Sequence, residues 1–191
     1  MTRSTLVAAI VHDLDDPQHL GRIRVRFPHL DDQVSHWARL VSAGAGHQRG
    51  SFFRPEEGDE VVVGFEHDDP RRPYVLGGVW SVPAPPPPDQ KATDNNLRQI
   101  VTRSGHVLRF DDGKGAEQIR IVAAGGAQEI VLDTAQGRIE VTAKKGDIVV
   151  RASAGTVQVT SSGNLTLSAG GDLQIKATGA LKLSGATVDI N

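Results

Sequence analysis

From Leu108 to the C-terminus the chain repeats one small pattern: two apolar residues separated by a single residue. The pairs are Leu108/Phe110, Ile119/Ile121, Ile130/Leu132, Ile139/Val141, Ile148/Val150, Val157/Val159, Leu165/Leu167, Leu173/Ile175, Leu181/Leu183 and Val188/Ile190. Residues at i and i+2 of an extended strand point to the same side, so the pattern predicts ten short strands with one apolar face. The spacing between pairs runs 11, 11, 9, 9, 9, 8, 8, 8 and 7 residues, and Gly155, Gly163, Gly171 and Gly179 mark the eight-residue units. The residues bracketed by the pairs are Arg109, Arg120, Val131, Glu140, Val149, Gln158, Thr166, Gln174, Lys182 and Asp189. All but Val131 and Val149 are polar, as an outward face requires.

A unit of about five strand residues and a two- or three-residue turn is too short to circle a core by itself. Three identical chains wound about one axis could each supply one side per level. Every apolar pair would then face the axis, and every backbone group would find a strand above or below it. The twenty paired residues are thus expected to form the axis core of a homotrimer. At the roughly 4.8 Å spacing of stacked strands, ten levels make a shaft on the order of 50 Å, narrowing as the units shorten.

The rest of the chain is built by other rules. Four consecutive prolines, Pro85 to Pro88, lie in a break from Ser81 to Asn96 and predict a stiff extended connector. Before it stand both tryptophans and the single tyrosine. The segments "LVAAIV", "RIRVRFP", "WARLVSA", "EVVVGFE" and "YVLGGVW" read as five short strands, and Ile23, Val25 and Phe27 alternate strictly with Arg22, Arg24 and Arg26. Five strands in so short a stretch fit a small closed barrel of the OB type. The expected organisation is an all-β chain: an OB-fold barrel over residues 1–80, a proline-rich linker over 81–96, and an intertwined trimeric β-helix over 97–191.

Composition narrows the function. The net charge is −2 and aromatic residues are 4% of the chain, which disfavours the basic, aromatic groove by which OB barrels hold nucleic acid. Cysteine is absent, which removes disulfides and thiolate metal sites. The apolar stretch near the N-terminus is too short for a signal peptide, so assembly in the cytoplasm is expected. "HDLDDPQH" (12–19) lacks the spacing of a calcium loop and reads as a solvated hairpin turn. "GAGHQRG" (44–50) is similar to a phosphate-binding loop but is followed by no helix, and reads as a barrel loop. Ser104, Gly105 and His106 are adjacent on an extended chain and read as structural. No catalytic residue, cofactor or metal is expected.

Five stretches carry a resemblance: "DPQHLGRIRVRFP" (16–28), "WARLVSAGAG" (37–46), "GSFFRPEEGDEVVVGFE" (50–66), "DPRRPYVLG" (69–77) and "RSGHVLRFDD" (103–112). In this order they resemble the central spikes of contractile injection machines, namely phage baseplate spikes, extracellular injection system spikes and the VgrG proteins of type VI secretion. The resemblance implies an OB domain and a trimeric β-helix that pierces the target envelope when a sheath contracts, without enzymatic activity. It also implies a separate hub protein at the barrel end, tail tube and baseplate neighbours, transient contact with the target membrane and a PAAR-type tip protein. Val188, Asp189, Ile190 and Asn191 are the expected docking platform for that tip. The proline linker occupies the place where a lysozyme domain sits in one phage spike. The last histidine is His106, so no histidine-bound apex metal is expected. Asp68 stands where the family often has glycine, and a turn is expected there. The runner-up is a trimeric β-helical fibre or adhesin module that binds a receptor.

Overall fold

The computed structural model describes residues 6–88 and 93–190. The first residues of the expected barrel domain, residues 89–92 of the linker and Asn191 of the docking set lie outside the described residues. The chain divides into a unit ending at Thr142 and a second beginning at Ala143.

The first unit contains two main sheets. Strands β1 (Leu6–Asp13), β2 (Arg24–Phe27), β3 (Gln33–Val34), β4 (Arg39–Leu40), β7 (Glu60–Phe65) and β8 (Pro73–Gly78) form a six-stranded sheet in the order β3-β2-β1-β7-β8-β4. All neighbours are antiparallel except β4 and β8. An isolated bridge joins Ile23, just before β2, to Ala38, just before β4, with N···O distances of 3.0 and 2.7 Å. The bridge brings the two ends of the sheet together, so the curved sheet encloses its own core. β5 (Ala45–Gly46) and β6 (Arg49–Gly50) make a separate small hairpin.

Alternation decides what enters the core. Ala9 and Val11 of β1, Val25 and Phe27 of β2, Val61 and Val63 of β7 and Val75 of β8 are buried, together with Ile23 and Ala38. The five strands expected from sequence are present, and Ile23, Val25 and Phe27 share the inward face as their spacing requires. Ser35, also buried, receives the Val25 amide on its hydroxyl at 3.0 Å and donates to the His36 carbonyl at 2.7 Å. The buried hydroxyl thus both accepts and donates a hydrogen bond just past the end of β3.

The second sheet is a five-stranded meander of β9 (Leu97–Val101), β10 (Val107–Asp111), β11 (Gln118–Val122), β12 (Gln128–Asp133) and β13 (Arg138–Ala143). Neighbouring strands from β9 to β12 pair antiparallel. The trimeric winding expected for residues 97–191 involves three copies; within the single chain residues 97–143 pair as this meander. Turns between these strands reverse the chain and lay each strand beside the one before it. Gly105, at φ 88°, supplies one such turn, in which Gly105 N–H donates to the Thr102 carbonyl at 2.8 Å. At its tip Arg103 reaches Glu56 of the barrel at 2.9 Å.

In the second unit the described residues from Lys144 onward form no helix or paired strand within the chain. Among the described residues no helix is long and apolar enough to cross a membrane.

Candidate functional site

The apolar ladder is the chain's most distinctive surface, and it falls into two parts. In the meander, register brings the first pairs together: Leu108 lies opposite Ile121 and Phe110 opposite Ile119. Ile119 in turn lies opposite Leu132, and Ile121 opposite Ile130. Directly opposed residues project to the same side of a sheet, so these six form one continuous apolar face. That face is not a closed core in the single chain: Phe110, Ile121, Ile130 and Leu132 remain exposed, and Leu108 and Ile119 are half-buried. Ile100 of β9, opposite Leu108, extends the face and was not part of the expected ladder. Its sequence signal is hidden because its partner at i−2 is Arg98, which stands opposite Phe110 and pairs with Asp112 at 2.7 Å. A depression of about 420 Å³ opens over Ile100, Leu108, Ile121 and Ile130.

The second part is the run from Ile148 to Ile190, which the single chain leaves uncovered. Ile148 and Val150, Val157 and Val159, Leu165 and Leu167, Leu173 and Ile175, Leu181 and Leu183, and Val188 and Ile190 are all exposed. Their exposure runs from 52% (Val188) to 87% (Ile190), whereas Val61 and Val63 in the barrel are fully covered. Ile139 and Val141 of β13 are likewise exposed. Among the described residues beyond β13 no strand of the same chain pairs beside these units, so nothing in the single chain covers the ladder. What remains is a repeated apolar edge of Val, Leu and Ile at fixed spacing, far larger than the scattered apolar residues normal on a monomer. Val188, Asp189 and Ile190 of the expected docking platform are exposed as well.

The polar candidates resolve differently. Asp16 is no solvated turn residue: it is 3% exposed, and its carboxylate accepts N–H bonds from Gln18, Leu20 and Arg22 at 3.1, 2.9 and 3.2 Å. The Arg22 guanidinium closes on the same carboxylate at 2.7 Å. That hydrogen bond, with the three amides, holds the Asp16 carboxyl well below the usual range against the opposing effect of burial. The loop is organised around one ionised group. Asp69 repeats the device on the surface, where the Arg71 guanidinium pulls its pKa down to about 2.

The arginine row on the outer side of β2 is engaged within the barrel. Arg22 holds Asp16, Arg24 donates to the Ser35 carbonyl at 3.1 Å and Arg26 pairs with Asp32 at 2.7 Å. Arg22 and Arg24 also lie over the Trp37 ring, 5.9 and 5.7 Å from its centre. The "GAGHQRG" segment is the β5–β6 hairpin. Gly50, at φ 144°, lies so close to the Gly44 carbonyl that a Cβ would fall 2.3 Å from its oxygen. Asp68 adopts φ 59° in the turn after β7, as expected of aspartate in glycine's place. His106 Nδ1 accepts the Ala124 amide at 3.0 Å, which ties the β9–β10 turn to the β11–β12 turn. Among the described residues no group of three or more His, Cys, Asp or Glu is placed to hold a metal ion.

Comparison with known proteins bears on the barrel most directly. Residues 7–80 match the family described as the type VI secretion system/phage-baseplate injector OB domain. The chain is 32% identical over 124 residues to the type VI secretion system spike protein VgrG1a of Pseudomonas aeruginosa, a match covering 58% of this chain and 19% of that protein. It is 35% identical over 113 residues to VgrG4b of the same organism, covering 54% and 14%. The actin cross-linking toxin VgrG1 of Vibrio cholerae is 32% identical over 114 residues, covering 54% and 10%. The chain therefore spans a fifth or less of the length of these relatives. Residues 7–80 match an injector OB domain, and over that domain and the residues that follow it the chain is similar to VgrG spike proteins.

Proposed function

We propose that this chain is the structural central spike of a contractile injection machine, in a phage tail baseplate, a type VI system or an extracellular injection system. Three copies form an obligate homotrimer in which residues 144–190 intertwine as a triple-stranded β-helix, continuing the antiparallel meander of residues 97–143. The domains are a barrel to residue 80, a linker to residue 96 and the trimeric shaft beyond it.

The observation that carries this reading is the exposed ladder. From Ile148 to Ile190 each unit holds its apolar pair in water in the single chain. A fully buried Val, Leu or Ile contributes roughly 1.5–3 kcal/mol, so association of three copies has a large driving force. All twenty paired residues, Leu108 to Ile190, then face the threefold axis. Interchain backbone hydrogen bonds around a dry core spread a compressive load over three chains, which suits a rod driven through an envelope by a contracting sheath.

The partners follow from the same reading. The barrel end sits on a separate hub protein beneath the tail tube, among the other baseplate components. The C-terminal end presents Val188, Asp189, Ile190 and Asn191 to a conical PAAR-type tip protein. The particle is assembled in the cytoplasm, and the spike is delivered across the target cell envelope with transient membrane contact. The role is mechanical rather than enzymatic, which the spike proteins among the relatives support. Deleting residues 188–191 is expected to abolish co-purification of the tip protein while leaving the trimer intact. Undiminished co-purification would overturn the docking assignment.

A further inference from the structure

The outward side of the ladder carries information that the apolar side does not. In the winding proposed above, on which this inference rests, successive units of one chain turn onto successive sides of the shaft. The unit stacked beside any given unit therefore belongs to a neighbouring chain. Once the apolar pairs are in register at the axis, the residues they bracket are in register outside, one strand spacing of roughly 4.8 Å apart. The last bracketed residues are Gln174, Lys182 and Asp189.

We propose that Lys182 of each chain pairs with Asp189 of the neighbouring chain, giving a ring of three interchain ion pairs at the C-terminal end of the shaft. Within one chain both residues are exposed, and neither forms an ion pair among the described residues. Asp172, two residues before Gln174, places a second carboxylate on the diagonal from Lys182, within reach of a long side chain.

The row has a simple logic. From Val149 through Gln158 and Thr166 to Gln174 the bracketed residues are uncharged, so they fit equally well against one another in any register. Charge returns only in the last two units. A slip of one unit would set Lys182 against Lys182 of the next chain and Asp189 against Asp189. Only the correct register sets cation beside carboxylate, so the ring both marks the register and closes the final unit. That unit follows seven residues after the previous pair, one fewer than the units before it, and has the least strand on which to hold.

The absence of cysteine makes the test direct. A full-length Lys182→Cys/Asp189→Cys variant is oxidised and run on a non-reducing denaturing gel. Strands one spacing apart lie within the Cα separation that a disulfide spans. The expected product is a covalent trimer, each chain linked to the next, while a Gln158→Cys/Asp189→Cys control, four units apart, stays monomeric. Native mass spectrometry of the unaltered chain is measured alongside. A native trimer that gives no covalent 182–189 product overturns the register while leaving the trimer standing. A native monomer overturns the trimer and this inference with it, as does a 182–189 disulfide confined to one chain. The charges are tested separately. Lys182→Asp should lower the temperature of trimer dissociation at low salt, and the swap Lys182→Asp/Asp189→Lys should restore it. No restoration overturns the ion pair.

Discussion

Leu173 gives the sharpest test of the ladder, because its environment in one chain and in three differs so much. In the single chain it is 58% exposed. Fully burying a leucine is worth about 1.5–3 kcal/mol, so covering the share still in water contributes about 1–2 kcal/mol per chain and about 3–5 kcal/mol per trimer. That corresponds to a factor of about 10²–10⁴ in the association constant. For three chains the constant scales with the square of concentration, so Leu173→Ala should raise the protein concentration at half-association by about ten- to a hundredfold. Leu173→Asp should do more, since it also places three unpaired carboxylates at a dry axis, and is expected to abolish association. Sedimentation over a range of protein concentration, in enough guanidinium chloride to bring the transition within reach, gives the midpoints directly. Gln174→Ala, on the outward side, is the control and should leave them in place. The reasoning fails if Leu173→Asp sediments as the unaltered chain does, or if Gln174→Ala is as damaging.

Two further predictions concern the barrel. Val63 is completely buried, so Val63→Ala removes two methyl groups from a closed core and should cost about 2 kcal/mol. Both tryptophans precede the linker, so the loss should show as an earlier denaturant midpoint of tryptophan fluorescence with sedimentation of the native protein unchanged. Asp16 predicts a pH dependence. Its folded pKa lies below the unfolded one, so its contribution is fully present above the ordinary carboxylate range and is lost as pH falls below about 4. Thermal melts should therefore put Asp16→Asn clearly below the unaltered chain at pH 7, with the difference narrowing toward pH 2. A gap that is constant with pH would remove ionisation of Asp16 from the account.

The sequence was most informative where one periodicity had a single structural solution. Strict alternation in "RIRVRFP" admits only a half-buried strand, and Ile23, Val25 and Phe27 are buried together. The ladder was less decisive because apolar residues at i and i+2 face one side whether the next strand runs parallel or antiparallel. Spacing alone does not separate the two regimes: six residues part Leu132 from Ile139, whose strands lie side by side in the meander, and six part Val141 from Ile148, where pairing stops. The burial of Asp16 was illegible for another reason. A carboxylate is expected in water, and its acceptors are satisfied by amides that converge only once the loop has folded. Ile100 was missed because Arg98 interrupts the pattern on the same strand.

Native mass spectrometry of the purified full-length chain, combined with hydrogen exchange across residues 144–190, addresses the interlaced ladder most directly. The expected result is one species of three 20.4 kDa chains with the amides of those residues strongly protected. A monodisperse 20.4 kDa species with the same amides protected would mean that one chain closes its own ladder, and would contradict the account.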